Sequence, residues 1–218
     1  MADLNRIAIV GAGAWGTALA TVARRAGREV TIWARSPEIA AEINDRHSNK
    51  TYLHDITLDA GIRATGDLAA LRNADAVLWV TPAQHLRDVA ARAVSHLRDG
   101  VPVVLCCKGF EQGSGKLMTE VAAEALPRAA IAVLSGPTFA AEVAKGLPTA
   151  VTLAATESSL GRDLLQALGT PAFRPYLSAD PVGAEVGGSV KNVLAIACGI
   201  AMGRKLGDNA RAALLTRG

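Results

Sequence analysis

Aromatic residues and runs of like charge are scarce in this sequence. Phe, Tyr and Trp make up 4% of the 218 residues, so few side chains are available for stacking nucleic-acid bases. Lys and Arg total 23 against 20 Asp and Glu, a formal net charge of +3, and no segment is a basic tract that could follow a phosphate backbone. The composition therefore argues against a nucleic-acid partner. The excess positive charge falls in residues 181–218, which favours a small anionic ligand.

Cysteine is equally scarce. Cys106, Cys107 and Cys198 include no Cys-x-x-Cys spacing, which argues against a disulfide framework or a zinc site. The four histidines have no metal-ligand spacing, and neither a P-loop nor a Ser-His-Asp arrangement stands out. We therefore expect a cytoplasmic α/β protein that holds no metal.

Long uninterrupted apolar runs are also missing. The uncharged run at 7–23 contains three glycines, which would weaken a continuous helix, so a strand, a glycine turn and a helix are predicted there instead of a signal peptide. The run Val193–Gly203 has 11 residues and is too short to cross a bilayer. No membrane span is expected.

Short apolar runs alternate with helical patterns along most of the chain, and this alternation predicts the fold. Near-continuous apolar strands separated by helices indicate a doubly wound, Rossmann-like, mostly parallel sheet covered on both faces. Helices are expected at Pro37–Arg46, Ala83–Leu97 and Lys116–Leu126. The predicted strands are Ile7–Val10, Val30–Trp33, Ile62–Ala64, Ala76–Val80, Val103–Cys106, Ile131–Leu134 and Ala150–Leu153.

The pattern changes near Asp180, and this divides the chain. Residues 1–180 are predicted to form a dinucleotide-binding domain and residues 181–218 the start of an all-helical domain. The run Val193–Gly203 is expected to be a buried helix. Because 38 residues cannot close a helical core, we expect that helix to face either the rest of its own domain or a partner subunit, as in a homodimer.

The sequence Gly11-Ala12-Gly13-Ala14-Trp15-Gly16 fits G-x-G-x-x-G between a predicted strand and a predicted helix. In such a turn the first glycine makes the bend, the second lets the backbone approach a pyrophosphate, and the third allows close packing of helix on strand. The free N–H groups of the helix would then face the anion. Trp15 would lie against the cofactor or pack in the core.

The end of the second predicted strand bears on the choice of cofactor. An acidic residue there would bind the 2′-hydroxyl of NAD, but this chain has Arg35. A guanidinium can pair with a 2′-phosphate or lie over the adenine. The residue therefore favours NADP, or acceptance of both NAD and NADP.

If every strand is parallel, all carboxyl ends lie at one edge of the sheet, where ligands bind. The residues just past the strands there include Lys108-Gly109 and Ser135-Gly136-Pro137-Thr138. Lys108 could meet a phosphate or polarise a carbonyl oxygen. His85 begins the helix after the fourth strand and is expected to be exposed to solvent.

Lys191 is the only cation between Pro181 and Gly203. Burying an ammonium is costly unless it is paired, and burial favours the neutral amine that a general base needs. Gly187 and Gly188, one turn earlier, would let the helix approach the cofactor edge closely. A lysine paired with Glu185 on an exposed stripe is less favoured, because a spacing of six puts the two on different faces.

Several separated motifs resemble the bacterial-type NAD(P)-dependent glycerol-3-phosphate dehydrogenases. They are GAGAWGTALA at 11–20, NKTYLHD at 49–55, KGFE at 108–111, SGPTFAAEVAKGLPTA at 135–150, GGSVKNVLAIACG at 187–199 and GDNARAALLTRG at 207–218. The resemblance implies reversible conversion of dihydroxyacetone phosphate and sn-glycerol 3-phosphate with NAD or NADP, which supplies glycerophospholipid synthesis.

The resemblance also implies roles for individual residues. Lys191 corresponds to the catalytic base, which also contacts substrate, and Lys108 to a contact shared by substrate and cofactor. Gly136 and Thr138 correspond to substrate contacts and Ala140 to a cofactor contact. The family's dinucleotide contacts fall on Ala14, Trp15 and Arg35, beside the glycines of the turn.

The family continues for about a further domain's length, with an aspartate and a Ser-Arg-Asn motif that this chain does not reach. We therefore expect residues 1–218 alone to bind cofactor weakly and to turn over slowly or not at all. Two alternatives remain open: a related β-hydroxyacid or sugar-acid dehydrogenase, and a dinucleotide-sensing module without chemistry.

Overall fold

A computed structural model describes residues 4–217, so residues 1–3 and 218 of the two predicted domains lie outside the described range. The described part contains eight strands in one sheet. They are β1 Arg6–Val10, β2 Glu29–Trp33, β3 Ile62–Thr65, β4 Ala76–Trp79, β5 Pro102–Leu105, β6 Ala130–Ser135, β7 Thr149–Ala154 and β8 Phe173–Ser178.

Eight α-helices accompany the sheet: α1 Ala14–Arg25, α2 Pro37–Arg46, α3 Leu86–Ala93, α4 Met118–Ala125, α5 Ala140–Lys145, α6 Ser158–Leu168, α7 Pro181–Gly203 and α8 Asp208–Arg217. Short 3-10 helices lie at Leu68–Asn73, Ala83–His85 and Val94–His96. The single helix predicted at Ala83–Leu97 is thus α3 with a 3-10 turn at each end.

The strand order is β3-β2-β1-β4-β5-β6-β7-β8. The first six strands are mutually parallel, which confirms the doubly wound, Rossmann-like sheet. The chain direction reverses between β6 and β7, which pair antiparallel, and β8 runs parallel to β7. The expectation that every strand ends at the same edge is therefore wrong for β7 and β8. It holds for β1, β2, β5 and β6, which the predicted site residues follow.

Alternating side chains divide the core into two layers, one on each face of the sheet. Along β1, Ile7 and Ile9 pack into the layer under α1, α2 and α6. Ala8 and Val10 of the same strand face the layer beneath α3 and α4, which also holds the fully buried Trp79. Because both faces are covered, the strands read as continuous apolar runs.

Local sequence sets several helix starts. Ser36 accepts a hydrogen bond from the N–H of Ile39 at 3.3 Å, with Pro37 in the first turn of α2. Asp180 caps α7 in the same way, accepting from the N–H of Gly183 at 2.8 Å. The change of pattern that the sequence shows near Asp180 is the start of this helix.

The prediction of a buried helix near the end of the chain is wrong within the described residues. Val193, Ile196 and Ile200 on α7 are 65%, 63% and 58% exposed. The helix extends well beyond the 11-residue uncharged run: at 23 residues it is long and apolar enough, by length and composition, to cross a membrane. Glu185 and Lys191 lie within it, and its first half packs against β6 and α4.

Candidate functional site

A cleft of about 620 Å³ opens at the carboxyl ends of the central strands. The glycine turn after β1 forms its floor, and residues after β2, β4 and β5 form its walls. The predicted cofactor residues Gly11, Gly13, Ala14, Trp15, Gly16 and Arg35 all line it.

Each glycine of the turn stands in a different steric environment. Gly11 has φ +123°, and a Cβ there would lie 2.9 Å from the carbonyl oxygen of Val80. A Cβ on Gly16 would overlap the carbonyl oxygen of Gly11. At Gly13, no described atom lies within 4 Å of the Cβ position. The turn is thus closed at its ends and open in the middle, where a ligand could approach the backbone.

Asn49 holds the glycine turn from beneath. It is fully buried, and its Nδ2 donates to the carbonyl oxygen of Ala12 at 2.9 Å and to Oγ1 of Thr17 at 2.8 Å. Sequence reasoning gave this residue no role, although it begins the motif NKTYLHD. Its position at the start of a motif that carries the family resemblance was the available signal.

The far end of the cleft carries charge. Arg35 is exposed just past β2 and lines the cleft together with His85, Asp88 and Arg92. The Cζ of Arg92 lies 6.0 Å from the centroid of the Trp33 ring, within cation–π range. His85 is exposed, as expected, and Arg92 is a cleft residue that the sequence did not single out.

Lys108 lies just beyond the part of the cleft formed by Cys106 and Cys107. Its Nζ donates to the carbonyl oxygen of Gly136 at 3.0 Å, which joins the ends of β5 and β6. Burial, and next the positive charge of the nearby Lys191, lower the pKa of Lys108 to about 8. The two predicted lysines are therefore close enough to interact.

Helix α7 reaches this point by close contact. A Cβ on Gly188 would lie 3.7 Å from Cγ and Cδ of Lys108, whereas Gly187 has no described atom within 4 Å of its Cβ position. Lys191, one turn further on, is half-buried. The close approach predicted for the glycine pair is thus made by Gly188.

Thr138 and Ala140 lie nearby but make none of these contacts within the described residues. Thr138 is on the loop after β6, and Ala140 is the first residue of α5, packed against the core beneath α1. The structure therefore brings together Lys108, Gly136 and Lys191.

Neither cysteine at the cleft is suited to act as a nucleophile. Burial raises the pKa of the Cys106 thiol well above its usual value and that of Cys107 to about 12. Among residues 4–217, no group of three His, Cys, Asp or Glu side chains could hold a metal ion.

Two family models match nearly the whole chain. The model described as NAD-dependent glycerol-3-phosphate dehydrogenase N-terminus matches residues 6–161, and its C-terminal counterpart matches residues 180–218. The chain belongs to the NAD-dependent glycerol-3-phosphate dehydrogenase family. The second match begins at Asp180, the residue that caps α7.

Two relatives named glycerol-3-phosphate dehydrogenase (NAD(P)+) are each 60% identical to the chain. The protein from Paramagnetospirillum magneticum aligns with 99% of this chain and 78% of its own length, and that from Parvibaculum lavamentivorans with 98% and 64%. The crystal structure of glycerol-3-phosphate dehydrogenase from Coxiella burnetii superposes with a TM-score of 0.88 at 42% identity, covering 98% of this chain and 66% of that one. This chain thus spans from below two thirds to just over three quarters of the length of these relatives.

Proposed function

We propose that this chain supplies the dinucleotide site and the catalytic lysine of an oxidoreductase that transfers hydride between NAD(P)H and dihydroxyacetone phosphate, reversibly giving sn-glycerol 3-phosphate. The observation that carries the proposal is the meeting of Lys108 and Lys191 beside the glycine-turn cleft. The names of the relatives support the same substrate pair.

The cleft residues fit a nicotinamide dinucleotide. Gly13 leaves its Cβ position open, and the buried Nε1 of Trp15 has no hydrogen-bond partner among the described residues. The glycine turn with Ala14 and Trp15 would hold the pyrophosphate through the N–H groups at the start of α1. Arg35 would meet the adenine end, and Ala140 the cofactor beside α5. The bound dinucleotide supplies the hydride donor or acceptor.

Lys191 is proposed to move the proton. In the oxidation direction its neutral amine takes the proton of the C2 hydroxyl of glycerol 3-phosphate. In the reduction direction its ammonium returns a proton to the developing alkoxide, which is the same role by microscopic reversibility. Each direction leaves the amine in the state that the reverse direction needs.

Lys108 is proposed to stabilise negative charge on the substrate. Its Nζ already donates to the carbonyl oxygen of Gly136, so its position is fixed before substrate binds. An anionic ligand would offset the repulsion between the two ammonium groups, which favours a phosphorylated substrate over a neutral one. Gly136 and Thr138 would contact that substrate from the loop after β6.

We place the protein in the cytoplasm, where its product would feed glycerophospholipid synthesis. Helix α7 is proposed to pack within a helical domain and not to cross a membrane, because its first half already packs against the sheet. Its exposed apolar residues would be covered by further helices or by a second copy in a homodimer.

The test compares Lys191→Met with Lys145→Met, a matched change of an exposed lysine at the end of α5. NADPH oxidation with dihydroxyacetone phosphate is measured in the protein that carries this chain, and NADPH binding is measured by fluorescence. We expect Lys191→Met to lose turnover by about 100-fold or more while both variants bind NADPH normally. Retained turnover in Lys191→Met would overturn the proposal, and a preference for a hydroxyacid substrate would replace it with the related dehydrogenase class.

A further inference from the structure

We propose that Glu185, Thr119 and Ser189, which we call the α7 latch, are positioning residues that hold α7 so that Lys191 lies next to Lys108. The importance of this latch to catalysis rests on the proposed function. Its test is designed so that failure of the latch and failure of the lysine pair give different results.

The first part of the latch joins α7 to the start of α4. Glu185 is only 6% exposed, yet it is the one acidic residue of α7. One carboxylate oxygen accepts from the backbone N–H of Thr119 at 2.9 Å, and the other from its hydroxyl at 2.6 Å. Two bonds from one residue to one carboxylate fix the orientation of the helix as well as its distance.

The second part joins α7 to the loop that carries Lys108. The Oγ of Ser189 accepts from the N–H of Gly109 at 2.9 Å and donates to the carbonyl oxygen of Glu185 at 2.8 Å. Gly109 has φ +133°, a conformation that favours glycine. The serine hydroxyl therefore links the residue after Lys108 directly to the helix that bears Lys191.

The spacing along the helix makes this anchoring effective. Lys191 follows Ser189 by two residues and Glu185 by six, about 3 Å and 9 Å along the helix axis. Because a helix is nearly rigid over so short a distance, the helix orientation that the α7 latch fixes also fixes the position of Lys191.

Apolar packing does not explain the docking equally well within the described residues. Val182, Val186 and Val193 on α7 are 53%, 37% and 65% exposed. Burial raises the pKa of Glu185, although the hydrogen bonds from Thr119 act to lower it. Burying this carboxylate therefore costs free energy that an apolar residue at the same position would not, even though the carboxylate is hydrogen-bonded. That cost favours a role in orientation.

The pKa of Lys108 reports the position of α7, because burial and Lys191 both lower it. It can be measured in the protein that carries this chain by competitive acetylation across pH, with mass spectrometry of the peptide that contains Lys108. Thr119→Val removes the hydroxyl and keeps the branched shape, Thr119→Ser keeps the hydroxyl, and Ser189→Ala removes the link to Gly109. Thr21→Val is the control, because its buried hydroxyl bonds to Ala18 within α1.

We expect the pKa of Lys108 to rise by about one unit in Thr119→Val and Ser189→Ala, which slows acetylation at pH 8 about fivefold. Thr119→Ser and Thr21→Val should match the parent protein, and far-UV circular dichroism should be unchanged in all variants. Lys191→Met should raise the Lys108 pKa as well.

An unchanged Lys108 pKa in both latch variants, with a rise in Lys191→Met, would overturn the latch and leave the lysine pair intact. The same rise in Thr119→Ser as in Thr119→Val would also overturn it, because the hydroxyl would not be the cause. An unchanged value in Lys191→Met would instead contradict the pairing of the lysines on which the proposed function depends. If one latch variant fails to fold, the other decides the matter.

Discussion

Gly188 faces Ser135 so closely that a Cβ added to the glycine would lie 2.6 Å from the serine Oγ. This contact brings α7 against the end of β6, beside Lys108. The absence of a side chain at position 188 therefore sets how near Lys191 can come to the sheet edge.

Gly188→Ala is expected to displace α7 by a few tenths of an ångström and to lower turnover. Gly187→Ala is the matched control, because its Cβ would meet no described atom within 4 Å, and it should raise helix stability by about 0.5–1 kcal/mol. Turnover and thermal midpoint are measured for both variants. Adding Ser135→Ala to Gly188→Ala should restore activity, since it removes the oxygen involved, and no recovery would count against the contact.

The glycine turn offers a second matched pair. Gly16→Ala is expected to destabilise the fold by several kcal/mol, because its Cβ would overlap a backbone carbonyl that cannot move aside cheaply. Gly13→Ala should leave the unfolding free energy nearly unchanged and weaken dinucleotide binding instead. Urea unfolding and NADPH titration separate the two effects. Normal NADPH affinity in Gly13→Ala would mean that the backbone there is not the pyrophosphate site.

Arg35→Ala tests the choice between the cofactors. If the guanidinium meets the 2′-phosphate, NADPH affinity should fall about 10-fold or more, while NADH affinity changes less than about twofold. Arg63→Ala, an exposed arginine on β3, serves as the control in both fluorescence titrations. Equal losses for NADH and NADPH would show that Arg35 stacks on the adenine and sets no preference.

Asp75 ties together the starts of β1 and β4, away from the cleft. A side-chain hydrogen bond from Arg6 is the main cause that lowers the pKa of Asp75 to about 2 from its ordinary value of 3.8. The carboxylate therefore stabilises the fold fully above pH 4, and this contribution is lost as the pH falls towards 2.

Asp75→Asn should accordingly cost about 1–2 kcal/mol of unfolding free energy at pH 7. The difference from the parent protein should shrink between pH 4 and pH 2, as measured by urea unfolding at a series of pH values. Cofactor affinity should not change. A difference that stays constant down to pH 2 would argue against the ionised pair.

The sequence was sufficient for those parts of the fold and site that follow from local periodicity. Strands β1 to β7 were predicted from short, mostly apolar runs, and the glycine turn from its spacing between a strand and a helix. Strand β8 was missed because Arg174 and Pro175 interrupt its pattern, which is tolerated in an edge strand.

Other features depend on contacts between distant segments and could not be read from local pattern. The burial of Glu185 could not be anticipated, because its partner, Thr119, lies 66 residues away in the chain. That Lys108 lies near Lys191 could be anticipated, because both were expected at the cofactor edge of the sheet. The lowered pKa of Lys108 could not, because it depends mainly on how deeply that side chain is buried. The exposed face of α7 could not be anticipated either, because an apolar run alone does not show what covers it.

The reversal at β7 determines where Lys191 lies relative to the cleft. Because β7 and β8 run antiparallel to β6, the last residue of β8, Ser178, lies level with Ala154 and hence with Val133, two residues short of the end of β6. Helix α7 starts just beyond this level and reaches the end of β6 at Gly188, which lies against Ser135. If β8 ran parallel to β6, the chain would leave the sheet at its carboxyl edge. The same helix would then carry Lys191 away from the cleft.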